Sequence, residues 1–161
     1  MHVEMRVQGL MIDPITQQPM IVLRDPQSDA KLPMWIGAFE ANAIALELEH
    51  VKTPRPMTHD LLAGLLDDLS ATLTKIVITD LQENTFFAVL HLDTPDGAKQ
   101  IDSRPSDAIA LALRCDAQIW ASEEVIESAK NIDLTEGYKE TERFREWLEG
   151  LGEDDLGKYE M

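Results

Sequence analysis

Between Thr74 and Ile101 the sequence keeps a period of two through three successive runs, separated only by tight turns. Thr74–Leu81 and Thr85–Leu92 are rich in Val, Ile, Thr and Phe, residues that suit a pleated and half-buried backbone. Gln82-Glu83-Asn84 and Asp96-Gly97 supply the turns, and Ala98–Ile101 completes an expected three-stranded antiparallel meander. That pattern excludes a helical bundle. Val3–Met11 and Met20–Leu23 read as an N-terminal hairpin around the turn Asp13–Pro19, and Met34–Ile36 as a short strand stopped by Gly37. Gln118–Ala121 is one more short strand. With helices between these groups, the expected class is α+β, with a mixed or antiparallel sheet packed against Ala-rich helices.

The helical stretches carry a different punctuation. Ala38 to His50 is rich in Ala and Leu on adjoining stripes, so it reads as a helix buried around much of its circumference, with Phe39 and the nearby Trp35 expected in the core. Two further helices open almost alike, at Arg55-Pro56-Met57-Thr58-His59-Asp60 and at Arg104-Pro105-Ser106-Asp107. Proline lacks an N–H and disfavours helical geometry at the residue before it, so each arginine stands at a helix mouth. Thr58 is expected to cap the first, whose Leu61, Leu62, Leu65, Leu66 and Leu69 form a broad apolar face. The second runs from Ala108 to Cys115. Ser122, followed by Glu123 and Glu124, is expected to cap a fourth helix. Ile132–Gly137 reads as a linker, and Tyr138–Leu151 as a charged helix with a narrow stripe of Phe144, Trp147, Leu148 and Leu151. The expected organisation is a domain over 1–130 and an acidic helical extension over 131–161.

With 161 residues, 44% hydrophobic and 27% charged, the chain can bury a substantial core. It shows neither a signal-peptide start nor a run long enough to span a bilayer, so it reads as cytoplasmic. Cys115 is the lone cysteine and excludes both an intrachain disulfide and a cysteine-based zinc site. Fourteen Lys and Arg against thirty Asp and Glu leave a net charge of −16, which provides no basic footprint for non-specific nucleic-acid binding. Any site for a polyanion must therefore be local.

The chain lacks the glycine-rich phosphate loop, the Gly-x-Ser-x-Gly elbow and the His-Glu-x-x-His pair. It does have a set of oxygen and guanidinium groups clustered around the two Arg-Pro starts. Arg55 and Arg104 are candidate phosphate contacts, because a guanidinium at a helix N-terminus suits an anion. Asp60, His59, Asp102 and Asp107 are candidate catalytic groups, His59 because an imidazole can serve as acid or base. Glu40, Asp102 and Asp107 are candidate ligands for Mg²⁺ or Mn²⁺, which carboxylate oxygens suit. Each residue taken alone also has a plain structural reading as a cap, a first-turn acid or a surface ion pair.

Four motifs in order carry a resemblance. Leu32-Pro33-Met34-Trp35-Ile36-Gly37 with Glu40-Ala41, then Arg55-Pro56-Met57-Thr58-His59-Asp60-Leu61, then Thr85-Phe86-Phe87-Ala88, then Ile101-Asp102-Ser103-Arg104-Pro105-Ser106-Asp107-Ala108-Ile109-Ala110-Leu111-Ala112 resemble the bifunctional nuclease family of bacteria and plants. The resemblance runs from the first strand to about Ala129. It implies an α+β fold, homo-oligomeric assembly and cleavage of both DNA and RNA; it assigns no catalytic residues. Tyr138–Met161 does not resemble the UVR motif that some relatives carry, so no repair partner is implied. Two functions stand side by side: a nuclease assisted by a divalent metal, and a non-catalytic oligomeric binding or scaffold module whose acidic surface recruits a protein partner.

Overall fold

The computed structural model describes residues 1–130; the expected extension over 131–161, with its charged helix, lies outside the described residues. Seven strands and four helices follow one another as β1 (His2–Ile12), β2 (Pro19–Arg24), β3 (Lys31–Trp35), α1 (Ala38–Leu48), α2 (Thr58–Asp68), β4 (Thr72–Gln82), β5 (Thr85–Thr94), β6 (Gly97–Ser103), α3 (Pro105–Cys115), β7 (Gln118–Ser122) and α4 (Glu123–Lys130). The strands form one sheet in the order β3-β2-β1-β7-β4-β5-β6. The fold is α+β, as the sequence leads one to expect.

Two antiparallel meanders, β1–β3 and β4–β6, are joined through β7, which pairs antiparallel with β1 and parallel with β4. The expected hairpin and meander are thus both present. At the β4–β5 turn Glu83 and Asn84 both adopt positive φ, 49° and 63°, the primed geometry that matches the twist of a two-residue hairpin. Pro33 lies within β3, tolerated because that strand is an edge and needs no donor on its open side.

Alternation along the strands divides the sheet into two faces. Ile21, Leu23, Leu32, Met34, Ile76, Ile78, Ala88 and Leu92 join the helices in one core. In α1, Ala41, Ala43, Ile44 and Ala45 are buried, and in α3 the run Ala108–Ala112 is buried throughout. Small side chains let α1 and α3 approach each other closely, which places their N-termini side by side.

Three expectations fail, each for a visible reason. Phe39 is not core but 90% exposed, because it stands in the first turn of α1, beyond the buried run that begins at Ala41. The apolar face of α2 is largely uncovered: Leu61, Leu62, Leu65 and Leu69 are exposed, while Leu66 and Ala63 reach the core. Thr58 is a helical residue, not the cap. Met57 occupies the N-cap position, and its N–H donates to Asp60 Oδ2 at 2.9 Å, so the helix start is closed by the acid three residues on. Ser122 does cap α4, accepting from Val125 N–H at 3.1 Å.

Candidate active site

Arg104 is the N-cap residue of α3, with Pro105 in the first turn, so its side chain is free to leave the helix mouth. Its Nε donates to Asp107 Oδ2 at 2.9 Å, and its Nη2 donates to Glu40 Oε1 at 2.7 Å. The same Nη2 lies 2.8 Å from Asp107 Oδ2. Two carboxylates from two helices therefore grip one guanidinium, and they raise its pKa above the ordinary arginine value. The Arg104 side chain remains 66% exposed, and among the described residues its Nη1 has no partner.

Glu40 reaches Arg104 because of a glycine. Gly37 is the N-cap of α1, and a Cβ placed there would collide with Glu40 Oε2, which folds back over the helix start. The sequence reading treats Gly37 only as a strand terminator. Its second role is visible only once the carboxylate is located.

Asp107 faces two ways. Its Oδ2 serves Arg104, and its Oδ1 lies 2.9 Å from His59 Nε2. An ionised carboxylate only accepts, so it holds the imidazole proton on Nε2 and leaves Nδ1 as the basic nitrogen of the neutral ring. His59 is 7% exposed and is the one buried residue of α2, the anchor by which this helix start meets α3. Glu40, Arg104, Asp107 and His59 form a continuous polar chain across three helix N-termini.

A second arginine supports this chain. Arg114, in the last turn of α3, has a side chain only 4% exposed and sends Nε to Asp60 Oδ1 at 2.7 Å. Its Nη1 donates to Ala110 O at 2.8 Å and its Nη2 to Ala43 O at 3.0 Å, which ties all three helices together. Asp60 is held below the usual carboxylate range first by the Met57 N–H and then by Arg114. Asp60 thus belongs to this supporting pair and not to the Arg104 cluster. Arg114 was missed in the sequence because a lone cation in the last turn of an apolar helix reads as a complement to the dipole.

Two candidates are not brought in. The Arg55 backbone carbonyl accepts from Thr53 Oγ1 at 2.7 Å; among the described residues its guanidinium pairs with no carboxylate. Asp102 pairs in register with Val89, alternating with Ile101 and Ser103, and so turns to the sheet face away from the helices. This donor set does not fit a divalent ion. Glu40 and Asp107 are both committed to the Arg104 guanidinium, which takes the position a cation would need, and Asp102 faces elsewhere. Among the described residues no group of three or more His, Cys, Asp or Glu is placed to hold a metal.

The residues that form this chain fall inside a recognised sequence family. The model of the bifunctional nuclease domain matches residues 21–133. The chain belongs to the bifunctional nuclease domain family. It is 38% identical over 162 residues to an uncharacterized protein of Mycobacterium tuberculosis, covering 95% of this chain and 97% of that one. It is also 23% identical over 109 residues to Bifunctional nuclease 1 of Oryza sativa subsp. japonica, covering 65% of this chain and 33% of the rice protein. The matched region includes every member of the Glu40–Arg104–Asp107–His59 chain and the Arg114–Asp60 pair.

Proposed function

We propose that this bifunctional-nuclease-domain protein hydrolyses phosphodiester bonds of DNA and RNA at the mouth of α3. The observation that carries the reading is the Arg104–Asp107–His59 chain, which sets an exposed guanidinium beside an imidazole held by a carboxylate. Arg104 binds the phosphate through its outward Nη1, and its charge offsets the negative charge that develops in the transition state. Water attacks phosphorus while His59 Nδ1 takes its proton; the ester P–O bond breaks, the leaving oxygen takes a proton from solvent, and the imidazolium returns its proton to solvent. Asp107 orients the ring and stabilises the imidazolium. Glu40 holds Arg104 in place. No step runs through a metal, since the carboxylates are already taken up by Arg104.

A chain of net charge −16 repels a polyanion at long range, so such activity depends on this one local cation and is slow to engage long substrates. The test is hydrolysis of end-labelled single-stranded DNA and RNA by extensively purified protein, with and without chelator, beside His59→Gln and Arg104→Ala. Activity that persists in chelator and falls at least about 100-fold in both variants supports the reading. Equal activity in wild type and both variants overturns it.

The exposed Leu61, Leu62, Leu65 and Leu69 of α2 favour an oligomeric protein, since contiguous apolar patches on small soluble domains mark association sites. The occupant we propose for that face is a second copy, consistent with a cytoplasmic homo-oligomer; no helix among the described residues is long and apolar enough to cross a membrane. Sedimentation that shows only monomer at every concentration would remove this part of the proposal.

A further inference from the structure

Five aromatic residues fall among the described residues, and four of them are largely covered. Phe86 packs against the core, and the part-buried Trp35 indole donates from Nε1 to Asp13 Oδ2 at 3.1 Å. Lys75 Nζ stands 6.0 Å from the centre of the Trp120 ring. Phe87 is 38% exposed and alternates with Phe86 and Ala88, so it lies on the sheet face turned away from the helices. Phe39 differs from all four. At 90% exposed it packs on almost nothing, and the buried run of α1 begins only at Ala41.

Its position ties it to the candidate site. Phe39 directly precedes Glu40, whose Oε1 accepts from Arg104 Nη2 at 2.7 Å. Adjacent Cα atoms are about 3.8 Å apart, so the ring and the guanidinium stand on the order of 10 Å from one another, linked by the Glu40 side chain. Gly37 and Ala38 before it carry a hydrogen and a methyl, and neither crowds the ring. Arg104 is itself exposed, and among the described residues its Nη1 has no partner. An open aromatic face and an open cation are thus held within the reach of one or two nucleotides.

The charge of the chain selects what these two groups take together. At a net charge of −16, long-range Coulombic attraction does not supply affinity for a polyanion, and a contribution independent of charge is needed. Base–aromatic stacking is such a contribution, and every base offers a π face to it. In a duplex those faces are taken by the neighbouring pairs, and freeing one costs unstacking. A single strand offers them without that cost and at a lower charge density. Neither a stacked base nor a bound phosphate reads the sugar, so the same two contacts serve DNA and RNA.

We infer that Phe39 stacks against an unpaired base of the strand whose phosphate Arg104 holds, and that the substrate class is single-stranded nucleic acid, taken without regard to its sugar; this builds on the phosphate site proposed above at Arg104. Phe39 is then a binding residue, and its ring stays exposed because the base is what covers it.

Fluorescence anisotropy of a short end-labelled single strand of mixed sequence tests this in the full chain, with His59→Gln as background to suspend turnover and KM of the His59-intact protein as a second reading. Phe39→Ala should weaken binding about 10- to 100-fold, Phe39→Trp should restore it and Phe39→Leu should not. In the His59-intact protein KM should rise in proportion while kcat stays within about twofold. Added salt should weaken binding with the same slope in Phe39→Ala as in its parent, and with a slope smaller by about one in Arg104→Ala. The duplex of the same sequence should bind more weakly and ignore Phe39→Ala. Single-strand binding that falls in Arg104→Ala but not in Phe39→Ala overturns the stacking contact and leaves the proposed hydrolysis standing. A Phe39→Ala protein that binds normally but sediments as a smaller species also overturns it, since the ring then covers a second copy. Phe39-dependent binding by a protein that hydrolyses nothing supports the stacking contact and removes only the catalytic step. Absence of single-strand binding in every one of these proteins overturns both.

Discussion

Helices α2 and α3 begin with the same Arg-Pro punctuation and are each 11 residues long, yet the fold treats them oppositely. In α3 seven residues are buried, and its arginine is gripped by two carboxylates. In α2 only His59 is buried, Leu61, Leu62 and Leu65 face outward, and Arg55 pairs with no carboxylate among the described residues. The difference comes from position, not from propensity. α3 crosses between the end of β6 and the central strand β7, so the sheet lies beneath it and α1 lies beside it. α2 precedes the meander at the margin of the helix layer and touches α3 more than it touches the sheet. The same local sequence grammar thus yields a core helix in one place and a presenting surface in the other.

The strongest way to break this comparison is to remove what joins the two helices. Arg114→Met deletes a guanidinium whose side chain is only 4% exposed, and it takes from Asp60 Oδ1 its charged donor and from α1 and α3 the bonds that tie them to α2. Removing one partner of a buried pair costs about 3–5 kcal/mol. Urea unfolding should show a loss of that size, and a loss below about 1 kcal/mol would mean that α2 is held by other contacts. Core truncation sharpens the same contrast. Ile109→Ala on α3 should cost about 2–5 kcal/mol, whereas Leu65→Ala on α2 should change monomer stability by no more than about 0.5 kcal/mol. If the two substitutions cost the same, the outward face of α2 is covered in solution.

Chemistry gives a third contrast, between the two arginines. On the proposed function, Arg104→Ala lowers kcat/KM about 100-fold while the melting temperature scarcely moves, because the Arg104 side chain is 66% exposed and its ion pairs are solvated. Arg55→Ala should change kcat/KM less than about threefold, since Arg55 stands outside the Asp107 cluster. Gly37→Ala tests the same site from behind: it displaces the Glu40 carboxylate and so loosens Arg104 without touching it. Turnover that responds equally to Arg55→Ala and Arg104→Ala would restore the expectation of one site built from both Arg-Pro starts.

The strands were legible because their signals are local. Period two, turn residues and β-branched content sit within a few positions of one another, and the meander from Thr72 to Ser103 follows from them. The central insertion of β7 did not follow, since strand order is set by contacts between residues more than a hundred positions apart, such as Val3 with Ala121. In the candidate site, Arg104 with Asp107 was legible as a pair three residues apart. The link to His59, 48 residues away, could be guessed only from the repeated motif. Arg114 was not legible at all, because its partners Ala43 and Asp60 come from two other helices. Exposure of α2 was misread for a related reason: an apolar stripe shows that a face wants cover, not which surface provides it.

The smallest expected effect concerns the sheet face that the helices leave open. His91 on β5 pairs in register with Lys75 on β4 and with Gln100 on β6. Partial burial lowers its pKa below the usual histidine value, and the charges of Lys75 and His2 lower it further. Alternation along the strands also sets Asp93, Asp102 and Glu4 on this face, and none of them lies within ion-pair distance of the ring. A depressed histidine pKa means that the unfolded chain binds the proton more readily than the folded one. Stability is therefore complete above the ordinary histidine pKa and falls as pH drops below it toward the folded value. His91→Gln cannot take up that proton, so its stability should decline less than wild type between pH 7 and pH 5, by less than about 1 kcal/mol. Parallel urea titrations at the two pH values read the difference directly. A wild-type decline that the substitution leaves untouched would place the titrating group elsewhere and detach the open face from the acid sensitivity of the fold.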